Sequence, residues 1–221
     1  MHRPVDLVFD LDGTISDPLV GFHRSMNFAL TAHGFESLDQ DSLAAFVGPP
    51  LDETFRALIP GIDDQMMGSL VSKYRERYAD VGFAECVMYA GVSEVLASLV
   101  EAGRTLGVCT SKRVDFAEKI LALFGIRTLF SFVDGGDLGV RKAQQLAGLV
   151  RAGRVRSSSR MIGDRAIDIL AARMSGLLSV GVLWGYGSAS ELQAAGADVL
   201  VSNARELSSV LTVDGNAAGH S

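Results

Sequence analysis

Asp10 and Asp12 stand at spacing i, i+2 where the β-forming run Val5-Asp6-Leu7-Val8-Phe9 gives out. In an extended segment that spacing sets both carboxylates on one side. Gly13 lets the chain turn sharply away and leaves backbone amides exposed. An Asp-Gly turn that merely closes a strand would look the same. A second acidic pair is Asp164, after Gly163 and another β-rich run, with Asp168 one helical turn on at i+4. Its bland reading is a helix cap, a place where Asp is favoured. If Asp10, Asp12 and Asp164 converge, each close pair repels by about 4 kcal/mol at ~4 Å in a surface-like dielectric. Such a cluster needs a cation or raised pKa values. All-oxygen ligands suit Mg²⁺ and not zinc.

Two further groups bring the opposite chemistry. Thr110-Ser111-Lys112 follows the apolar run at 106–109. Hydroxyls and backbone amides at a strand-to-helix junction are what a phosphate oxygen needs. Capping of a helix starting near Arg113 accounts for them equally well. Arg141-Lys142 opens another helical pattern and would aim a cation at an otherwise acidic site.

The elements that must carry these residues alternate. β-rich runs at 5–9, 105–109, 130–133, 160–162, 178–183 and 198–201 are separated by helical patterns at 92–102, 114–124, 142–151, 166–175, 189–195 and 204–211. Alternation of this length predicts an α/β fold, a doubly wound parallel sheet with helices on both faces. Gly103, Gly125 and Gly176 each follow a helical run, where a left-handed residue is expected. From 17 to 85 the alternation breaks into helical patterns at 22–32, 38–46, 51–58 and 64–78 with no convincing strand. We read residues 17–85 as a helical cap inserted into a core made of 1–16 and 86–221. Phe22, Met26, Ala29 and Leu30 give the insertion an apolar stripe and hence a small core of its own.

Composition narrows the field further. Acidic residues outnumber basic ones, 26 against 20, and apolar residues make up 48% of the 221. That balance argues against a nucleic-acid polymer as partner. No run approaches the ~18 apolar residues of a membrane span, and Met1-His2-Arg3-Pro4 does not read as a signal peptide. Cys86 and Cys109 are far apart, so neither a disulfide framework nor a thiolate metal site is expected. The expectation is a cytoplasmic protein, monomeric or homodimeric.

Asp10-Leu11-Asp12-Gly13-Thr14, Cys109-Thr110-Ser111-Lys112, Lys142 and Gly163-Asp164-Arg165-Ala166-Ile167-Asp168 follow one another in that order. With these four motifs the chain resembles the haloacid dehalogenase superfamily. The resemblance is specifically to the branch of phosphoglycolate phosphatases and related 5′-nucleotidases, and it runs to about Leu211. Val47-Gly48-Pro49-Pro50-Leu51 and the stretch at 181–187 are also similar to that branch.

The resemblance implies a Rossmann-like core with a cap, and Mg²⁺-dependent hydrolysis of a small phosphorylated metabolite through an aspartyl-phosphate. It makes Asp10 the nucleophile and Asp12 the acid that later becomes base. Mg²⁺ would sit on the Asp10 carboxylate, the Asp12 backbone carbonyl and Asp164, with Asp168 orienting its waters. Thr110 and the Ser111 amide would hold phosphoryl oxygens, and Lys142 would bridge nucleophile and phosphate.

Two departures stand out. The segment before Lys142 is short and Ala143 replaces the usual Pro, which leaves Arg141 and Lys112 as other candidates for the site cation. Asp17-Pro18 replaces a frequent Asp-Ser where the chain enters the cap. The stiff loop Gly48-Pro49-Pro50-Leu51 is expected to close over the site and govern specificity. His23 and Asn27 share a helical face as solvated or substrate-reaching groups, and Trp184 and Tyr186 are either lid aromatics or core. A phosphomutase shares all four motifs. A dehalogenase has no use for the acid Asp12, a phospho-accepting receiver carries no helical insertion, and a non-catalytic phosphate binder has no need of both Asp10 and Asp12.

Overall fold

A computed structural model describes residues 5–213. Met1-His2-Arg3-Pro4 and positions 214–221, which carry the signal-peptide reading and the ends of the expected core, lie outside them. The main sheet has six parallel strands: β1 (Val5–Phe9), β4 (Leu106–Thr110), β5 (Phe130–Gly135), β6 (Val155–Gly163), β7 (Leu178–Val182) and β8 (Val199–Val201). Their spatial order is β5-β4-β1-β6-β7-β8. The chain therefore winds outward from β1 through β4 and β5, then returns to the other side of β1 for β6, β7 and β8. In such sheets ligands bind beyond the carboxyl ends of the strands at the reversal, here where β1 lies between β4 and β6.

Strands of a doubly covered sheet are apolar on both faces, and every residue of β4 is buried. Alternation along β1 sends Leu7 and Phe9 into one apolar cluster and Val8 into another. The first cluster is filled by Leu96 and Leu99 of α5 (Val92–Glu101), Ile120 and Leu121 of α6 (Val114–Leu123), and Leu207 and Leu211 of α10 (Ala204–Val213). The second is filled by Leu146 and Leu149 of α7 (Lys142–Arg151) and Ala171 and Ala172 of α8 (Ala166–Met174). Helix α9 (Ala189–Ala195) contributes Leu192 to a smaller third cluster. Helices thus cover both faces, as the alternation predicts. Gly103, Gly125 and Gly176 all have positive φ.

Between β1 and α5 lie α1 (Leu19–Ala32), α2 (Gln40–Ala44), α3 (Leu51–Leu58) and α4 (Asp64–Asp80). They surround an apolar cluster of their own, with Phe22, Met26, Leu43, Phe55, Leu70, Tyr74 and Tyr78 at its centre. Phe116 of α6 joins that cluster from the sheet side. The pattern at 38–46 delivers only the short α2, because the Asp39 carboxylate accepts from Ser42 N and starts the helix late. Two strands went unread in the sequence: β2 (Ser16–Asp17) pairs antiparallel with β3 (Val87–Met88) and sets the two crossings into the helical layer side by side. Among the described residues no helix is long and apolar enough to cross a membrane.

Candidate active site

Asp10 follows the last residue of β1 and Thr110 ends β4; Lys142 opens α7, and Asp164 follows β6. All four therefore gather at the carboxyl edge of the sheet. Asp10 is buried; its Oδ1 accepts from Leu11 N at 2.7 Å, and its Oδ2 lies 2.7 Å from Lys142 Nζ. The same ammonium is 2.5 Å from Asp168 Oδ1. Lys142, and neither Arg141 nor Lys112, is thus the cation beside Asp10; Arg141 is exposed and Lys112 is engaged elsewhere. Burial works against the Lys142 charge, but Asp10 and Asp168 outweigh it and hold the ammonium well above the ordinary lysine range.

Asp164 is not a helix cap. Its Oδ1 accepts from Thr14 Oγ1 at 3.1 Å and its Oδ2 from Tyr186 N at 2.8 Å, so it joins three separate parts of the chain. The close approach of those parts explains two glycines. Gly13 turns with φ +80°, and a Cβ on it would lie 2.1 Å from Asp164 Oδ2. A Cβ on Gly185 would lie 2.3 Å from Gly13 O and 2.4 Å from Asp164 Cβ. Asp168 Oδ2 accepts from Arg165 N at 3.0 Å, just before α8.

Oxygens of Asp10, Asp164 and Asp168 lie within 4.8 Å of one another, and all three residues are buried. Burial, reinforced by Asp168 and Asp10, pushes Asp164 well above the ordinary carboxylate range. Burial also raises Asp168, against the pull of Lys142. Three carboxylates against one ammonium leave negative charge in a dry place. A hard divalent cation such as Mg²⁺ fits this all-oxygen donor set.

The spacing of Asp10 and Asp12 does not by itself bring both carboxylates into the acidic cluster. The third carboxylate in the cluster is Asp168, whereas the Asp12 carboxylate faces the helical layer, 2.7 Å from Lys112 Nζ and 3.3 Å from Ser16 Oγ. Burial holds the Asp12 carboxyl above the usual carboxylate pKa although Lys112 pulls the other way.

Neither Thr110 nor Ser111 caps α6, whose first turn receives no side-chain cap. Thr110 Oγ1 accepts from Lys112 N at 3.3 Å. The buried Ser111 Oγ has no hydrogen-bond partner among the described residues, as does Nε of Arg75 on α4. Both residues line a cavity of about 70 Å³ between the helical layer and the sheet edge. Asp12 and Lys112 form part of its floor, and Gly48, Pro49, Pro50 and Leu51 all stand in its wall.

The other sequence candidates have different employment. His23 Nε2 and Asn27 Nδ2 both reach Leu38 O, and Asn27 Oδ1 accepts from Leu38 N, so the pair anchors the chain before α2. Trp184 packs on the sheet cluster and donates to Thr14 O at 3.1 Å. Tyr186 donates its hydroxyl to Asp17, whose Oδ1 also accepts from Leu19 N at 2.9 Å. The carboxylate thereby opens α1, where Pro18 supplies no side-chain cap.

Sequence reasoning missed two contacts between the layers. Arg165 Nη1 donates to Val47 O and Ala45 O beside the Pro49-Pro50 loop, and Tyr78 OH accepts from Lys112 Nζ at 2.6 Å. The stripe Leu70, Val71, Tyr74, Tyr78 announces a buried face of α4. Nothing in it names the partner.

The chain matches the family model described as haloacid dehalogenase-like hydrolase over residues 7–182. It is 38% identical over 196 residues to a protein of Pseudomonas aeruginosa named 5′-nucleotidase, covering 87% of this chain and 88% of that one. With a protein of Vibrio parahaemolyticus named phosphoglycolate phosphatase it shares 31% over 218 residues, 94% of this chain and 96% of the other. The crystal structure of a protein from Clostridium acetobutylicum, described as a predicted phosphatase, superposes with TM-score 0.89 at 31% identity, covering 95% of this chain and 99% of that one.

Proposed function

Because the chain belongs to the haloacid dehalogenase-like hydrolases and is a phosphatase among them, we propose that it hydrolyses the phosphomonoester of a small phosphorylated metabolite through an aspartyl-phosphate. The observation that carries this reading is the environment of Asp10. It is a buried carboxylate at the carboxyl edge of the sheet, fixed by a backbone amide and the Lys142 ammonium, and Ser111, which follows β4 on the same edge, has a buried hydroxyl with no partner among the described residues. That is where a nucleophile for phosphorus and a donor for a phosphoryl oxygen would stand.

Asp10 attacks phosphorus and the bond from phosphorus to the ester oxygen breaks, while Asp12 gives that oxygen its proton. Asp12, now a carboxylate, takes a proton from water, which attacks the acyl phosphate and releases Asp10 and inorganic phosphate. Lys142 and the hydroxyls of Thr110 and Ser111 hold the phosphoryl oxygens. Asp10, Asp164 and the Asp12 backbone carbonyl would hold Mg²⁺, with Asp168 orienting its water, and the ion would offset the repulsion between nucleophile and phosphate. Residues 17–85 act as the cap on a core of 1–16 and 86–221, with Gly48, Pro49, Pro50 and Leu51 meeting the leaving group. The cavity that these residues wall, with Asp12 and Ser111 also in its lining, is where the leaving group would lie.

A panel of phosphomonoesters assayed with Mg²⁺ tests the reading. At least one small alkyl phosphate should be turned over, and Asp10→Asn, isosteric but not nucleophilic, should abolish turnover with the fold intact. Hydrolysis by a folded Asp10→Asn protein would overturn the covalent route.

A further inference from the structure

Lys112 carries a pair of contacts that the reaction as described leaves unused. Its Nζ is 2.7 Å from Asp12 Oδ2 and 2.6 Å from Tyr78 OH, and it sits 4.8 Å from the centre of the Tyr78 ring. The Lys112 side chain is 9% exposed. Tyr78 is itself immobilised: its ring stacks on Tyr74 at 5.2 Å and meets Phe116 edge-on at 5.0 Å. One ammonium therefore joins a carboxylate on the sheet edge to a buried phenol on α4. Ser16 Oγ, at 3.3 Å, is the other side chain that fixes Asp12.

We propose that Lys112 is a positioning residue for proton transfer: it aims the Asp12 carboxyl at the leaving oxygen, and Tyr78 lets it do so only while the helical layer lies on the sheet edge. The inference rests on the phosphatase reading above. Lys112 keeps its own proton throughout. The proton that reaches the ester oxygen comes from Asp12 as the bond to phosphorus breaks, and the carboxylate left behind forms its ion pair with the ammonium already in place. Lys142 cannot substitute, because both of its carboxylate contacts, Asp10 and Asp168, lie in the other cluster.

A residue that serves the acid matters only when the leaving group needs a proton. The test compares Lys112→Met with wild type in the full-length chain on two esters, 2-phosphoglycolate and p-nitrophenyl phosphate. The first expels a basic alkoxide and the second a weakly basic phenoxide. The readout is kcat/KM, which stops at phosphoryl transfer and leaves out the later hydrolysis step. General acid catalysis contributes about 10²–10⁴-fold, so the alkyl ester should lose on the order of 100-fold. The aryl ester should lose no more than about fivefold.

Tyr78→Phe keeps the ring and its packing, and should show the same preference at about a tenth of the size. It decides the matter if Lys112→Met fails to fold. Lys112→Arg, which keeps a charged donor, should recover most of the alkyl activity. Equal losses on both esters, or no loss on either, would overturn the inference while leaving the phosphatase reading standing. If wild type hydrolyses neither ester nor any alkyl phosphate, the phosphatase reading fails and takes the inference with it.

Discussion

The charge at the sheet edge should make stability depend on metal and on pH together. Oxygens of Asp10, Asp164 and Asp168 lie within 4.8 Å of one another. At that distance an effective dielectric of ~20 gives at least about 3.5 kcal/mol of repulsion per ionised pair. Lys142 offsets part of this through its contacts to Asp10 and Asp168. Asp164 and Asp168 both have carboxyl pKa values raised by burial. The metal-free folded state therefore binds more protons than the unfolded chain from the ordinary carboxylate range near ~4 upward. Stability has slope proportional to protons bound unfolded minus folded, so metal-free stability should fall as pH rises from ~4 through neutrality.

Mg²⁺ needs the ionised carboxylates, so its stabilising effect should grow over the same range. At a hundredfold excess over Kd it should contribute about 2.7 kcal/mol. For a chain of this size that is roughly 5–11 °C in Tm. The assay is a Tm series from pH 5 to 8 with chelator or with Mg²⁺. Asp164→Asn can keep both neighbours, its amide oxygen accepting from Tyr186 N and its NH₂ donating to Thr14 Oγ1. That variant should lose the metal response and, without metal, exceed wild type in Tm at pH 8. A wild-type Tm indifferent to Mg²⁺, or an Asp164→Asn protein that responds as wild type does, would refute the reasoning.

Two more outcomes are specific to this geometry. Gly185→Ala places a Cβ 2.3 Å from Gly13 O and 2.4 Å from Asp164 Oδ2; displacing that carboxylate by even ~1 Å should cost about 100-fold in kcat, together with a lowered Tm from the backbone clash. Gly148→Ala in α7, where a Cβ meets nothing within 4 Å, should instead add about 0.4–1 kcal/mol of stability, and equal losses from both would dismiss the steric account. Replacing Pro49 and Pro50 by Gly loosens a wall of the cavity and should lower kcat/KM for the preferred substrate by one to two orders of magnitude, roughly 1.4–3 kcal/mol. p-Nitrophenyl phosphate should lose less, and equal loss on both substrates would remove specificity from that loop.

What the sequence made legible was whatever depends on neighbours in the chain. Strand ends, the helices after them and the left-handed glycines follow from short-range rules. Once the alternation of elements is read, Asp10, Thr110, Lys142 and Asp164 must share one edge. The side-chain directions did not follow. The i, i+2 spacing groups Asp12 with Asp10, but β1 ends at Phe9, before either residue, so the rule for extended chain does not fix where the Asp12 carboxylate points; it lies on Lys112 and Ser16. Asp168 was visible at i+4 from Asp164, but only the start of α7 shows why it faces Lys142. The β2–β3 pair was beyond reach for a simpler reason: two residues carry no periodicity, and the partners lie some 70 positions apart.

Three of the contacts that hold the helical layer down land beside Asp12 or Asp164. Lys112, next to Ser111, grips Tyr78; Arg165, next to Asp164, grips the carbonyls of Ala45 and Val47. Tyr186 donates its backbone N–H to Asp164 and its hydroxyl to Asp17 at the crossing into α1. A layer attached at unrelated points could shift without disturbing the chemistry. Attached here, a movement of α1 or α4 should pull on Asp12 or Asp164, the groups proposed to move protons and to hold the ion. If position of the layer and competence of the site are coupled through these contacts, substitutions at Tyr78 or Arg165 should alter the chemical step and not binding alone.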